Sequence, residues 1–120
     1  MTKETQTIAE TAKAQMRKGV LEYCIMLIIG NNEAYASDII EEMKTSHLLV
    51  VEGTLYPLLT RLKNEGLLQY QWIESQQGPP RKYFKLTDKG IDYLQALENG
   101  WNDLVQSVQS VEKVKKTKNK

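Results

Sequence analysis

The sequence is poor in the residues that most catalytic and metal sites use. Its 120 residues include one histidine, His47, and one cysteine, Cys24. A single cysteine cannot form an internal disulfide, and one histidine without neighbouring cysteines lacks the ligand set of a zinc site. The same scarcity excludes most catalytic dyads and triads, and the glycines are not spaced as in a phosphate-binding loop. We therefore predict that the protein is not an enzyme and needs no metal or cofactor.

The sequence also lacks a long apolar run. The longest, residues 23–29, is far shorter than the roughly 20 residues that a membrane-spanning helix needs. It fits the middle of a buried helix, where Cys24 would act as a small hydrophobic residue. The polar first residues do not resemble the apolar core of a signal peptide. These features predict a cytoplasmic protein without membrane contact.

Neither sign of charge is in large excess, but the charges are unevenly distributed. The net charge is +1. Residues 61–90 nevertheless hold six basic side chains against three acidic ones, whereas residues 33–52 hold one basic side chain against five acidic ones. Any attraction for nucleic acid should therefore be local to the first of these segments.

Two helices are predicted in the first half of the chain. Residues 1–8 are polar and are expected to be a flexible N-terminus. Apolar residues at helical spacing then predict a first helix from about residue 10, which ends at the Gly-Asn-Asn of residues 30–32. A short second helix is predicted over residues 37–44, with Ser37 or Asp38 as its N-terminal cap.

The third helix is the candidate recognition helix. Leucines at positions 55, 58, 59 and 62 form one apolar stripe, and Gly66 ends the helix. Pro57 is tolerated only near a helix start, so the helix should begin close to Gly53 or Thr54, or be kinked there. The opposite face and its flanks are polar and basic, and comprise Thr54, Tyr56, Pro57, Thr60, Arg61, Lys63 and Asn64. This face suits phosphates and base edges, although an ordinary amphipathic helix with a solvated face has the same pattern.

A β-hairpin should follow the third helix. Apolar and polar residues alternate over residues 68–73, and residues 81–86 form a returning strand after a turn at residues 75–80. Arg81 and Lys82 lie just beyond the turn. Three helices followed by such a hairpin predict a mainly α fold, a winged helix-turn-helix over residues 9–86. The wing would hold the DNA backbone through Arg81 and Lys82.

A long C-terminal helix is predicted over residues 87–113, with Thr87 as its cap. Its apolar residues recur at intervals of 3, 4, 3, 4 and 3, which is the spacing of a heptad seam. The seam consists of Leu94, Leu97, Trp101, Leu104, Val108 and Val111. We expect it to form a homodimer interface, although the seam could also pack wholly on the first helix of the same chain. The lysine-rich residues 114–120 are expected to be a disordered basic tail.

Four motifs in this order resemble the PadR family of transcriptional regulators, in its short form with a single C-terminal dimerisation helix. They are QMRKGVL at residues 15–21, GTLYPLLTRL with GLL at 53–62 and 66–68, PRKYF at 80–84, and LTDKG at 86–90. The resemblance implies a homodimeric winged-helix repressor that binds operator DNA and responds to a small aromatic or hydrophobic effector. It also implies that Trp101 flanks an effector pore at the dimer interface. The sequence departs from the family at Val51, where many members have a polar cap, and at the Gly-Pro-Pro of the wing tip.

Two functions are compatible with these patterns. The first is sequence-specific binding of double-stranded DNA by a homodimer, with Trp101 as a tentative effector contact. The alternative is a dimeric winged-helix module that binds protein rather than specific DNA, in which Trp101 is only a large core residue of the seam. The basic, polar face of the third helix favours the first.

Overall fold

The computed structural model of the protein confirms the predicted winged helix-turn-helix. It describes residues 1–118, and of residues 75 and 115–118 it describes only the backbone. The elements are, in order, α1 (Lys3–Asn31), β1 (Ala34–Tyr35), α2 (Ala36–Thr45), α3 (Glu52–Asn64), β2 (Leu68–Ser75), β3 (Gly78–Leu86) and α4 (Asp88–Lys118). The strands form an antiparallel sheet in the order β1-β3-β2. No helix within residues 1–118 is long and apolar enough to cross a membrane.

The hydrophobic core lies where the three N-terminal helices meet the base of the hairpin. The second half of α1 runs through its centre, as its apolar sequence predicted. The core side chains with the least exposure come from α1, α2 and α3, and are Ile25, Met26, Ile39, Met43, Leu55, Leu59 and Leu62. Cys24 packs against this core, and burial raises the pKa of its thiol.

The first helix begins at Lys3, so the predicted start near residue 10 is wrong. Thr2 is the N-cap, and its side-chain oxygen accepts a hydrogen bond of 3.1 Å from the backbone N–H of Thr5. Glu4 lies in the first turn, where a negative charge suits the helix dipole. The first turns of the helix have no apolar periodicity, so local capping determines where the helix begins. The flexibility of residues 1–8 stays a prediction.

The second helix begins one residue before the predicted cap positions. Its N-cap is Tyr35, whose backbone N–H donates to the carboxylate of Asp38 at 3.0 Å. Asp38 therefore caps from inside the first turn rather than from the N-cap position. Strand β1 was not predicted, because a two-residue strand has no periodicity of its own. It exists because Ala34 and Tyr35 pair with Phe84 and Tyr83 of β3.

The third helix begins at Glu52 and ends as predicted. Val51 is the N-cap and makes no side-chain capping bond. Gly66 has a φ of 79°, and the chain leaves the helix through hydrogen bonds from Gly66 N–H to the Lys63 carbonyl and from Leu67 N–H to the Leu62 carbonyl. This is a Schellman ending, which strongly favours glycine. It turns the chain sharply from α3 into β2.

The two strands of the wing are longer than predicted, and the turn is shorter. β2 continues to Ser75 and β3 begins at Gly78, so the predicted turn over residues 75–80 is reduced to residues 76 and 77. The register shifts between Ile73 and Ser75. Pro79 and Pro80 lie opposite this irregularity, where their missing N–H groups cost the ladder least.

The predicted seam of the fourth helix consists of a part that packs on the core and a part that is exposed. Leu94 and Leu97 pack against the core of the same chain, whereas Leu104, Val108 and Val111 are exposed. The helix runs to Lys118 rather than to residue 113. Part of the predicted disordered tail is therefore helical, and its last two residues lie outside the described part of the chain. Thr87 caps α4 as predicted, since its hydroxyl oxygen accepts from Gly90 N–H at 2.9 Å.

Candidate nucleic-acid interface

The exposed face of α3 carries most of the polar residues predicted to bind DNA. Burial of Leu55, Leu59 and Leu62 fixes the rotation of the helix. The side chains of Thr54, Tyr56, Pro57, Thr60, Lys63 and Asn64 are consequently exposed. The exposure of this face agrees with the sequence-based prediction, and its role in binding DNA stays a prediction.

An open cleft of about 370 Å³ separates this face from the wing. The α3 side of the cleft is formed by Tyr56, Thr60, Lys63 and Asn64, and the wing side by Tyr70, Trp72 and Lys82. Leu59 and Phe84 close its floor together with Ala36. The cleft thus has an apolar floor and walls that carry hydroxyl, amide and ammonium groups.

Two lysine side chains converge on one aromatic ring in this cleft. The Nζ atoms of Lys63 and Lys82 lie 5.6 Å and 4.6 Å from the centre of the Tyr70 ring. Lys82 Nζ also lies 5.4 Å from the Trp72 ring, and Trp72 is 60% exposed. Cation–π attraction holds the ammonium groups here without neutralising them. The cleft consequently presents two positive charges beside exposed aromatic surface.

Tyr70 and Trp72 were not predicted as site residues. Their alternation in β2 was interpreted only as a sign of a half-buried strand. The hairpin register pairs Tyr70 with Phe84 and Trp72 with Lys82, and paired residues lie on the same face of a sheet. The sequence contained the alternation, but only the register showed that both aromatic rings face α3.

Arg81 lies on the opposite face of the wing from Lys82. Its guanidinium group is 5.1 Å from the centre of the Tyr35 ring, which in turn contacts the Tyr83 ring at 4.9 Å. Adjacent residues in a strand point to opposite faces. The two neighbouring cations of the wing are therefore not equivalent, and only Lys82 lines the cleft.

Arg61 is held by two carboxylates on the side of α3 that faces α1 and α4. Its guanidinium pairs with Glu22 of α1 and, at 3.1 Å, with Glu65 one turn along α3. The hydrogen bond to Glu65 and the charge of Glu22 raise the pKa of Arg61. Glu22 also accepts a hydrogen bond from the Tyr93 hydroxyl of α4, and this bond raises the pKa of Tyr93 to about 12. Arg61 thus has intramolecular partners that the sequence did not indicate.

The tentative effector residue Trp101 borders an open apolar surface between α1 and α4. Its ring lies 6.3 Å from the Tyr23 ring and it is 39% exposed. The space beside it measures about 570 Å³, and its apolar lining is Met16, Val20, Trp101, Leu104, Val105 and Val108. The exposed half of the seam and part of α1 therefore form one continuous surface, which we call the α1–α4 face.

The single histidine, His47, and the single cysteine, Cys24, do not form a metal site. His47 is an exposed loop residue with a φ of 61°. Within residues 1–118 no group of three or more His, Cys, Asp or Glu side chains is arranged to hold a metal ion. The surfaces of the described chain that are candidates for function are the cleft, the exposed face of α3 and the α1–α4 face.

The chain is similar to several solved transcriptional regulators. It is 60% identical to a PadR-like transcription factor from Bacteroides fragilis, covering 84% of this chain and 98% of that one with a TM-score of 0.71. A PadR-like regulator from Bacillus cereus is 38% identical over 81% of this chain and 95% of its own, with a TM-score of 0.71. A PadR family regulator from Eggerthella lenta is 28% identical over 89% of this chain and 90% of its own, with a TM-score of 0.78.

The family itself is identified by the match of residues 25–96 to the model of the transcriptional regulator PadR-like family. This segment contains α2, α3 and the wing, together with the end of α1 and the start of α4. The family and these solved relatives are transcriptional regulators rather than enzymes, in agreement with the prediction from composition. On the sequence match, the fold and the similarity to solved regulators, the chain belongs to the PadR-like family of transcriptional regulators.

Proposed function

We propose that the protein is a homodimeric transcriptional repressor that binds an operator in double-stranded DNA through α3 and the wing. The observation that carries this proposal is the cleft, in which Lys63 and Lys82 converge beside the exposed polar face of α3. Lysines placed in this way attract phosphates, and an exposed helix face suits the major groove. Membership of a family of transcriptional regulators supports the same conclusion.

The exposed residues of α3 and the wing differ in the contacts that they can make. Tyr56, Thr60 and Asn64 carry hydroxyl and amide groups that can hydrogen-bond to base edges or phosphates. Lys63 and Lys82 would contact phosphates on either side of the cleft. Thr54 lies at the helix start, where backbone N–H groups also suit a phosphate, and Pro57 would make apolar contact with the groove wall.

The two arginines predicted to bind DNA would first have to leave intramolecular partners. Arg61 is paired with Glu22 and Glu65, and Arg81 lies over the ring of Tyr35. A DNA contact by either arginine would replace existing interactions rather than add to them. We therefore expect Arg61 to contribute less to DNA affinity than Lys63, and Arg81 to contribute less than Lys82.

The α1–α4 face supports the proposal of a dimer. Leu104, Val108 and Val111 are 55%, 52% and 70% exposed in the single chain. They follow one heptad seam, which a second copy of the same helix can cover. Two copies of α3 would then contact half-sites separated by about one helical turn of DNA, roughly 34 Å.

Lys82→Ala and Arg81→Ala provide a matched test, because they remove positive charges from adjacent positions on opposite faces of the wing. We expect Lys82→Ala to reduce the slope of log affinity against log salt by about 1 per protomer, since one phosphate contact is lost. Arg81→Ala should change the slope much less. Fluorescence anisotropy of labelled operator at salt concentrations between about 50 and 200 mM measures both.

The operator for this experiment can be selected by the wild-type protein from a random pool of duplexes, or taken from an inverted repeat upstream of the gene. A random duplex of equal length is the control for specificity. Equal slopes for the two variants would contradict the assignment of the cleft. If the wild-type dimer bound no duplex in preference to random sequence, the alternative of a protein-binding module would replace the proposal.

A second part of the proposal is that a small, planar aromatic effector binds beside Trp101 and releases the operator. The open apolar space between α1 and α4 supports it, since Trp101 is partly exposed there and stands near Tyr23. A planar ligand can stack on such a ring with favourable geometry. The same surface would then serve both dimerisation and effector binding.

Fluorescence of Trp101 can test effector binding directly. The sequence has two tryptophans, so a Trp72→Phe variant leaves Trp101 as the single reporter. We expect planar aromatic compounds to quench or shift this fluorescence and to lower operator affinity over the same concentration range. Trp101→Ala should abolish the effect of the compound on operator binding. An unchanged signal across a varied panel would remove this effector class.

A further inference from the structure

The carboxylate of Glu22 in α1 is shared between the recognition helix and α4. One of its oxygens accepts a hydrogen bond from the Arg61 guanidinium, and the other accepts one from the Tyr93 hydroxyl. The Glu22 side chain is only 26% exposed. A single carboxylate thus connects α3 to α4 through charged and polar contacts that are partly shielded from solvent.

A second attachment joins the same two helices about one turn away. The Nζ of Lys89 in α4 donates to the backbone carbonyl of Glu65 at 2.8 Å, and the Thr87 hydroxyl donates to the carbonyl of Gly66 at 2.6 Å. These carbonyls lie at the C-terminal end of α3, where unpaired acceptors and the helix dipole favour a cation. The end of α3 is therefore tied to the first turn of α4.

The spacing of the two attachments determines what they can do. They lie four residues apart on α3, at positions 61 and 65, and four residues apart on α4, at positions 89 and 93. Four residues span about 6 Å along a helix. One attachment would act as a pivot, whereas two separated attachments fix the angle between the helices.

We propose that Glu22 is a positioning residue that fixes the angle of the recognition helix relative to α4. A change in the arrangement of the two α4 helices of a dimer then changes the distance and angle between the two recognition helices. The Glu22 contact consequently sets how strictly the dimer selects the spacing of its half-sites. This inference rests on the proposed function as an operator-binding dimer.

Tyr93→Phe tests this role, because it keeps the ring and removes the hydroxyl that donates to Glu22. Affinities are measured for the selected operator and for duplexes whose half-sites are one base pair closer or further apart. We expect the wild-type preference for the selected spacing to fall by about 3- to 10-fold, which corresponds to at most about 1.4 kcal/mol. A role limited to stability would weaken binding to all three duplexes equally.

Tyr23→Phe is the matched control. It makes the same chemical change in α1, next to Glu22 in sequence, but the Tyr23 ring contacts Trp101 and is not a partner of the Glu22 carboxylate. We expect Tyr23→Phe to keep the wild-type spacing preference. Unfolding curves of both variants show whether either has lost its fold.

Glu22→Gln provides a second, independent variant. A glutamine carries no charge and has an acceptor oxygen in only one of the two positions from which the carboxylate holds Arg61 and Tyr93, so the charged bridge between them is lost. Its spacing preference should fall as in Tyr93→Phe, and Tyr93→Phe should have little further effect in the Glu22→Gln background. If Tyr93→Phe and Glu22→Gln both selected the wild-type spacing, the positioning role would be overturned although DNA binding stood. If the wild-type protein selected no duplex at all, the proposed function itself would fail.

Discussion

Leu104→Glu is expected to separate the two copies of the proposed dimer and to reduce operator affinity at least about 100-fold. Leu104 lies in the exposed half of the seam, where a dimer would bury two glutamates without partners. A monomer contacts only one half-site and loses the gain of roughly 10²- to 10⁴-fold that linked binding gives. Analytical ultracentrifugation measures the mass, and fluorescence anisotropy measures operator affinity.

Gln106→Glu is the control for this experiment. It adds the same charge to the exposed part of α4, two residues along the helix and on the side away from the seam. We expect it to leave the proposed dimer intact and to have little effect on operator affinity. If Leu104→Glu remained dimeric with unchanged affinity, the seam would not be the dimer interface, and the proposal would have to place that interface elsewhere.

Gly90→Ala is expected to destabilise the protein by about 2–3 kcal/mol, the upper part of the range of about 1–3 kcal/mol for overpacked positions, although alanine is the best helix former. A Cβ atom at this position would lie 2.0 Å from the carbonyl oxygen of Leu67. That oxygen belongs to the backbone, so α4 would have to move away from the end of α3. The movement would also strain the hydrogen bond of 3.2 Å from Thr87 N–H to the Leu67 carbonyl.

Gly100→Ala is expected to have the opposite effect on stability in the same helix. A Cβ atom at Gly100 meets no atom of its own chain within 4 Å, so within the chain only helix propensity changes, and we expect a gain of up to about 1 kcal/mol. Urea unfolding of both variants at one protein concentration compares their free energies of unfolding. Equal stabilities for Gly90→Ala and Gly100→Ala would show that α4 does not approach Leu67 closely in solution.

Local signals were sufficient to predict most of the architecture. The leucine stripe of α3 defines its buried face, and Gly66 ends the helix because the turn needs a positive φ. Thr87 caps α4 through its own side chain. Each of these features depends on residues a few positions apart, so the sequence contains the whole cause.

The ends of the helices and strands were predicted less well, because they depend on pairing, capping and packing that apolar periodicity does not show. β1 has only two residues and forms because it pairs with β3 about fifty residues later. The start of α1 at Lys3 is fixed by an N-cap, without an apolar stripe in the first turns. The seam of α4 followed one heptad pattern throughout. Only the part of the seam up to Leu97 nevertheless packs on the core of the same chain, because the core does not extend further along α4.

The sequence by itself determined the winged-helix fold, the exposed polar face of α3 and the cations available to it. Only the tertiary structure decided which of those cations remain available. Arg61 meets Glu22, 39 residues away in the chain, and Arg81 meets Tyr35 across the sheet, whereas Lys63 and Lys82 converge on the Tyr70 ring. Charge pairing depends on distances between elements far apart in sequence, and periodicity does not encode those distances.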